Sequence, residues 1–355
     1  MTGEFLGAIE DICKEKGIDK EILLEAIEAA LVSAYKKNFG SAPNVRVAVD
    51  RESGSVKVFA QKRVVEGEVR DELLEISLEE AKHVNPGIEI NDILEIEVTP
   101  GNFGRIAAQN AKQVVVQRIR EAERGLIYNK FIEKENEMVT GLVQQVEARN
   151  VYIDLDKAEA ILPYSEQIPG EKYEVNDRLK VYITEVKKTT KGPQIIVSRT
   201  HPGLVKRLFE FEVPEIVRGE VVIKNISREA GSRTKISVYS EDETIDPVGS
   251  CVGHRGIRVQ QIVEELRGEK IDIIKWSEDP IEYISSALSP AKVLAVLPSY
   301  GDRSAMVIVP DNQLSLAIGK EGQNARLAAK LTGWKIDIKS QSQAQLLQDI
   351  IPNVE

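Results

Sequence analysis

Two short stretches of this chain set a pair of glycines three residues apart where one helix should end and the next begin: Gly253-His254-Arg255-Gly256 and Gly319-Lys320-Glu321-Gly322. The chemistry such a loop offers is binding. Two glycines remove the side chains that would hold a ligand off the main chain and permit backbone angles that other residues resist. The helix that follows presents unpaired amide N–H groups and the positive end of its dipole. Phosphate fits such a place, so both loops are candidate clamps for a polyanion backbone, with His254 a loop residue near phosphate. A third pair, Gly101-Asn102-Phe103-Gly104, lacks a helix ahead of it and a partner strand behind it, and reads as a turn before a helix.

The elements that must position these loops occur twice in the same order. DPVGSCVGHRGIRVQQIVEELRGEKIDI runs from Asp246 to Ile273 and DNQLSLAIGKEGQNARLAAKLTGWKIDI from Asp311 to Ile338, with the first glycines 66 residues apart, so the module is duplicated. The first copy predicts a helix over Leu204 to Phe211, strands over Glu220 to Ile226 and Lys235 to Tyr239, and a turn at Gly231-Ser232-Arg233. The second predicts a helix over Ile281 to Leu288, strands over Lys292 to Leu297 and Ala305 to Val309, and a turn at Gly301-Asp302-Arg303. Asp246 and Asp311 are natural N-caps for the helices leading into the loops. Helix, strand, strand, helix, helix, strand is the type II KH order, whose Gly-x-x-Gly loop grips about four nucleotides of backbone. Only Trp276 to Asp279 separates the copies, which predicts one rigid groove.

Upstream, Met138 to Arg199 is a run of short β-formers: Val139 to Val146, Val151 to Leu155, Glu159 to Leu162, Leu179 to Val186 and Gln194 to Ser198. The Asp156-Lys157 turn, Pro169-Gly170 and Lys191-Gly192-Pro193 punctuate them. Five short strands fit a Greek-key OB barrel, a fold that commonly carries single-stranded nucleic acid. Tyr152 is a candidate stacking platform, although an aromatic plugging a strand face looks the same. Lys187, Lys188 and Lys191 either follow a backbone or decorate a solvated hairpin tip. The front of the chain differs. Phe5 to Lys16 and Lys20 to Asn38 read as amphipathic helices, the second with Ile22, Leu23, Ala26, Ile27, Ala30, Leu31 and Ala34 along one stripe. Strands follow at Val45 to Val49, Val56 to Val65 and Ile93 to Val98, and a long helix, Arg105 to Glu135, acts as a strut into the barrel. Two helices ending in a strut suggest a docking platform more than a catalytic pocket.

Composition bounds the function. The 355 residues are 42% hydrophobic and 29% charged with a net charge of −10, an ordinary soluble chain of several domains. Residues 201 to 340 hold 19 Lys and Arg against 20 Asp and Glu, whereas residues 1 to 200 hold 28 against 35. The acid excess therefore sits upstream: affinity for RNA must come from local basic clusters and be modest, and the front half is suited to meet protein. Two cysteines, Cys13 and Cys251, and three scattered histidines make neither a disulfide framework nor a metal cluster. No apolar run approaches the roughly 20 residues of a membrane span, and the start lacks the signature of a signal peptide, which predicts a cytoplasmic protein with no cofactor and no membrane contact.

The order of front α/β domain, long connector helix, barrel and paired modules, with TPGNFGRIAAQNAKQVVVQRIREAERG (Thr99 to Gly125), FEVPEIVRGEV (Phe211 to Val221), IDPVGSCVGHRG and LAIGKEGQNARLAAKLTGWKIDI, resembles the NusA family of bacterial transcription factors over essentially the whole chain. The strand motifs between Met138 and Thr200 resemble the S1 class of OB barrel. The resemblance implies a multidomain α+β protein: an RNA polymerase-binding domain with connector at 1–136, an S1 barrel at 137–200, KH domains at 201–276 and 277–343, and a short tail at 344–355. It implies a monomeric, non-enzymatic factor that docks on core RNA polymerase near the β-subunit flap and RNA exit channel. Such a factor binds nascent RNA and pause or terminator hairpins, prolongs pauses, assists intrinsic termination and joins other Nus factors in antitermination.

It also implies site roles. Gly253 to Gly256 and Gly319 to Gly322 match the family's RNA clamps, with Arg255 and Lys320 as phosphate partners and Gln323, Asn324 and Arg326 facing the groove. Arg199 matches an RNA-face arginine, and Lys37, Arg105 and Lys112 fall where basic residues face the nascent hairpin. Some members carry acidic C-terminal repeats that mask the KH surface; with Glu355 soon after Ser340, that autoinhibition is expected to be absent. Two rival classes are RNA-processing enzymes that carry KH and S1 modules and stand-alone RNA scaffolds. The enzymes place KH before S1 and need a catalytic core, for which the sequence offers no Walker A run and no metal-spaced cluster; a scaffold would lack the front domain.

Overall fold

The computed structural model describes residues 3–39, 44–156 and 158–350. Lys157 of the expected turn and residues 351–355 of the expected tail lie outside the described residues. The chain divides into two compact units, Met1–Ile127 and Tyr128–Glu355, the division falling within a long helix.

In the first unit, α1 (Gly3–Lys16) and α2 (Lys20–Phe39) precede β1 (Val45–Val49), β2 (Val56–Val65), β3 (Glu75–Ser77), α3 (Leu78–Val84), β4 (Ile93–Glu97) and α4 (Phe103–Ile132). Strand β2 is central, antiparallel to β1 and β4 and parallel to β3. Leu23, Leu24, Ile27 and Leu31 of α2 pack on Val45, Val47 and Val49 of β1 and on Phe103, Ala107, Ala111 and Val115 of α4. Ile22, assigned to that stripe from sequence, is 57% exposed; the buried arc begins one residue later. The strut expectation also needs correction. The first half of α4 places every fourth residue in the core, so this stretch is an integral wall of the front unit. The β3–α3 pair escaped the sequence reading, yet Ser77 accepts a hydrogen bond from Glu80 N at 3.3 Å, and Ser-x-x-Glu is a legible N-terminal signature.

The second unit begins with β5 (Met138–Val146), β6 (Asn150–Asp154), β7 (Glu159–Pro163), β8 (Arg178–Thr189) and β9 (Gly192–Ser198), closed in the order β5-β6-β7-β9-β8. Alternation sends Val151, Ile153, Leu179, Val181, Ile183, Ile195 and Val197 inward, all buried. Next come α5 (Pro202–Glu212), α6 (Pro214–Val217), β10 (Val222–Glu229), β11 (Arg233–Tyr239), α7 (Pro247–Val252), α8 (Ile257–Glu265) and β12 (Lys270–Lys275). The repeat follows as α9 (Pro280–Ala287), β13 (Ala295–Ser299), β14 (Ser304–Val309), α10 (Leu314–Ile318), α11 (Gln323–Thr332) and β15 (Lys335–Ser340), then α12 (Gln341–Ile350). Both three-stranded sheets join an antiparallel pair to a parallel one, as the duplicated sequence requires.

Polar and apolar contacts join the two copies. Tyr283 Oη of α9 lies 2.9 Å from Ser237 Oγ, donates to Leu331 O at 3.0 Å and accepts from Asn225 Nδ2 at 3.2 Å. Lys235 donates to Ser289 O at 2.7 Å and to Asp272 at 2.8 Å. Ile274 of the first copy lies in the core of the second, and Trp276 stands edge-on to both Tyr239 and Tyr283. The four-residue link is thereby packed rather than free.

Candidate nucleic-acid interface

The two loops have the same backbone. Gly253 and Gly319 lie at φ/ψ of 75/174° and 78/172°, Arg255 and Glu321 at 52/25° and 53/27°, and Gly256 and Gly322 at 77/13° and 76/13°. A side chain at Gly253 would meet Arg258 Cγ at 2.7 Å, and one at Gly319 would meet Asn324 N at 2.7 Å. The first glycine is therefore demanded by both angle and space, and any side chain at Gly319 would distort the loop. His254, Arg255, Lys320 and Glu321 are exposed, and the loops are open rather than covered. No side chain caps α8 or α11; the first amide of each helix, Ile257 N and Gln323 N, donates back into the loop to His254 O and Lys320 O, and the positive end of each helix dipole faces the loop.

Approach to the loops differs between copies. Asp246 caps α7 as expected, accepting from Val248 N at 3.0 Å. Asp311 does not cap α10: its carboxylate takes the Ser342 hydroxyl at 2.8 Å, and hydrogen bonds from Ser340 first and Ser342 second hold its carboxyl below the usual aspartate range.

Four residues expected to face RNA are engaged by other groups of the protein. Arg199 has no exposed surface; it pairs with Glu171 and Glu265 and donates to Lys180 O at 2.9 Å and Glu265 O at 3.0 Å. It joins the barrel to the first repeat and does not reach a ligand. Asn324 is 4% exposed, its amide donating to Leu288 O and Ala317 O, each at 3.0 Å, which removes it from the groove. Arg326 is partly exposed but donates to Glu229 at 2.7 Å, and Gln323 reaches Glu229 and Ser232, each at 2.8 Å. These two tie α11 to the β10–β11 turn of the first repeat. The hydrogen bond from Arg326 holds the Glu229 carboxyl below the ordinary carboxylate range.

Tyr152 is half-buried on the outer side of β6, between the inward-facing Val151 and Ile153, with its hydroxyl 3.5 Å from Glu147. Of the hairpin lysines, Lys187 pairs with Glu185 at 2.6 Å, Lys188 sits 4.3 Å above the Tyr128 ring, and Lys191 is exposed. In the first unit, Lys37, Arg105 and Lys112 are exposed. Arg105 follows Phe103, which meets Tyr35 and Phe39 of α2 edge-on, so Lys37 and Arg105 flank one aromatic junction. Arg258, unremarked in the sequence, lies under the first loop and donates to Ser250 O at 2.6 Å and Glu215 at 3.0 Å. The repeat register was the signal for it, since Arg258 stands 66 positions before Asn324.

A closed five-stranded barrel followed by two Gly-x-x-Gly modules with exposed, conformationally matched loops defines a protein of the S1 and KH RNA-binding class. Comparison with protein families agrees segment by segment: residues 4–125 match the NusA N-terminal domain, 133–198 the S1 RNA binding domain, 199–276 the NusA-like first KH domain and 280–346 the NusA-like second KH domain. The chain belongs to the NusA family of transcription termination/antitermination proteins. It is 64% identical over 352 residues to NusA of Halalkalibacterium halodurans, spanning 98% of this chain and 92% of that one. It is 62% identical over 347 residues to NusA of Bacillus subtilis, spanning 98% and 93%, and 44% identical to NusA of Thermus thermophilus, spanning 95% and 89%. Among the described residues no helix is long and apolar enough to cross a membrane.

Proposed function

We propose that the second unit holds nascent single-stranded RNA through its two loops, while the first unit docks on core RNA polymerase beside the β flap and the RNA exit channel. Bound there as a cytoplasmic monomer, the protein lengthens hairpin pauses, assists intrinsic termination and enters antitermination complexes with other Nus factors. The observation that carries this reading is the pair of solvent-open loops, alike within a few degrees, on modules packed into one body. Arg255 and Lys320 meet phosphate, Tyr152 offers a half-exposed ring to a base, and Lys37, Arg105 and Lys112 face an emerging hairpin. Arg199 and Asn324 take no part in contact, and Gln323 and Arg326 serve the module junction.

The test is transcription in vitro on a template with a hairpin pause. Added full chain should extend pause lifetime and be retained by core polymerase, and a chain carrying Arg255→Glu and Lys320→Glu should be retained but extend the pause less. Absence of retention would favour a free RNA scaffold.

A further inference from the structure

Beneath each loop, five residues past its first glycine, a side chain performs one mechanical task with different chemistry. In the first repeat Arg258 packs its stem against Gly253 and donates to Ser250 O, a carbonyl at the end of α7, at 2.6 Å. In the second, Asn324 packs against Gly319 and donates to Ala317 O at 3.0 Å and Leu316 O at 3.5 Å, carbonyls at the end of α10. Ser250 and Leu316 are themselves 66 positions apart, so the brace spans the same gap in both copies. Each brace has a second anchor after its module's first helix: Glu215 of α6 takes Arg258 at 3.0 Å, and Leu288 O at the end of α9 takes Asn324 at 3.0 Å.

Those first helices are also the parts that seat each module on its predecessor. Tyr182 of the barrel lies in the core cluster that α5 supplies with Leu204, Val205, Leu208 and Phe209, and α9 lays Tyr283 on Ser237. A continuous chain of contacts thus runs from the preceding module, through the first helix, to the brace and the loop. Resting on the reading of the loops as RNA clamps, we propose that Arg258 and Asn324 are positioning residues that hold the clamps in their binding shape and couple that shape to module docking. Neither touches RNA. The device explains why two loops with dissimilar side chains, His-Arg and Lys-Glu, share one backbone: the left-handed angles at Arg255 and Glu321 resist relaxation because the helix end before the loop and the helix after it are pinned together.

The experiment uses the full chain and a labelled mixed-sequence single-stranded RNA at fixed salt, with amide hydrogen exchange followed in the RNA-free protein. Arg258→Met keeps the stem and loses the donors; Asn324→Ala keeps the Cβ that meets Gly319 and loses the amide. Each should weaken RNA binding about fivefold, the scale of one net hydrogen bond, and speed exchange at residues 254–256 or 320–322, while Arg258→Lys, which keeps a donor, recovers most of the affinity. Arg255→Glu with Lys320→Glu should weaken binding with loop exchange unchanged. Full affinity in Arg258→Met, or weakened affinity without faster loop exchange, overturns the positioning role and leaves the clamps standing; full affinity in the charge-reversed chain overturns the clamps themselves. If Asn324→Ala melts the second module, the Arg258 arm decides.

Discussion

A guanidinium shut away from water is the most exacting residue of the second unit. Arg199 directs its donors at Glu171, Glu265 and two main-chain carbonyls, and the Glu171 side chain is itself 1% exposed. Without Arg199, Glu171 keeps the half-exposed Arg267 at 3.3 Å and the Tyr173 hydroxyl at 2.7 Å but loses its buried partner, so Arg199→Met should cost about 3 kcal/mol of unfolding free energy, read from denaturant midpoints. The double variant with Glu171→Gln should lose clearly less than the sum of the two single changes. Lys320→Ala, by contrast, should leave stability alone and flatten the dependence of log Kd on log salt by about 0.7, the share of one phosphate contact on a single strand. The two kinds of basic residue could not be told apart from the chain alone. Arg199 finds its carboxylates 28 and 66 residues away and Asn324 its anchor 36 residues away, distances over which local pattern carries no information. The loops were legible because everything that shapes them, glycine, flanking helix and repeat register, is local.

Among the elements, α4 and the hairpin turn of the first repeat bear testable weight. Ala107 and Ala111 are fully buried where α4 meets α2, so Ala107→Leu should overpack that contact and cost roughly 1 to 3 kcal/mol, and deleting residues 107–134 should unfold the front unit, seen as lost thermal cooperativity. At the turn, Glu269 is fully buried and takes Arg228 through both oxygens at 2.9 Å, with Thr234 Oγ1 and Gly231 N also donating. Burial pushes its carboxyl up, but these donors outweigh burial and hold it below its ordinary 4.5. A carboxyl lowered in the folded state stabilises above its unfolded value and loses that contribution as pH falls through the folded one. Urea midpoints of the second unit should therefore hold steady from pH 7 to about 5 and decline below about 4.5, with Glu269→Gln less stable at neutral pH and less sensitive to acid. The barrel and both repeats were readable from alternation and duplication. Strand β3, three residues long, carries no period to read, and α6 was hidden because four residues cannot display one.

At the scale of the whole molecule, charge separates two jobs. Net charge is −10, yet exposed cations mark both the loops of the second unit and the Lys37, Arg105 and Lys112 set of the first. Reversing those three to Glu should shorten hairpin pauses in vitro while leaving single-stranded RNA affinity of the full chain unchanged; a parallel loss of RNA affinity would mean the first unit contacts the same strand. The packed junction between the repeats carries a further consequence. With Tyr283, Lys235 and Ile274 fixing one repeat against the other, the span between the grips cannot breathe, so a transcript caught at both points is held like thread on a frame. The nucleotides stretched across it would have no slack with which to fold back on themselves, and base pairing within that stretch would have to wait until one grip lets go.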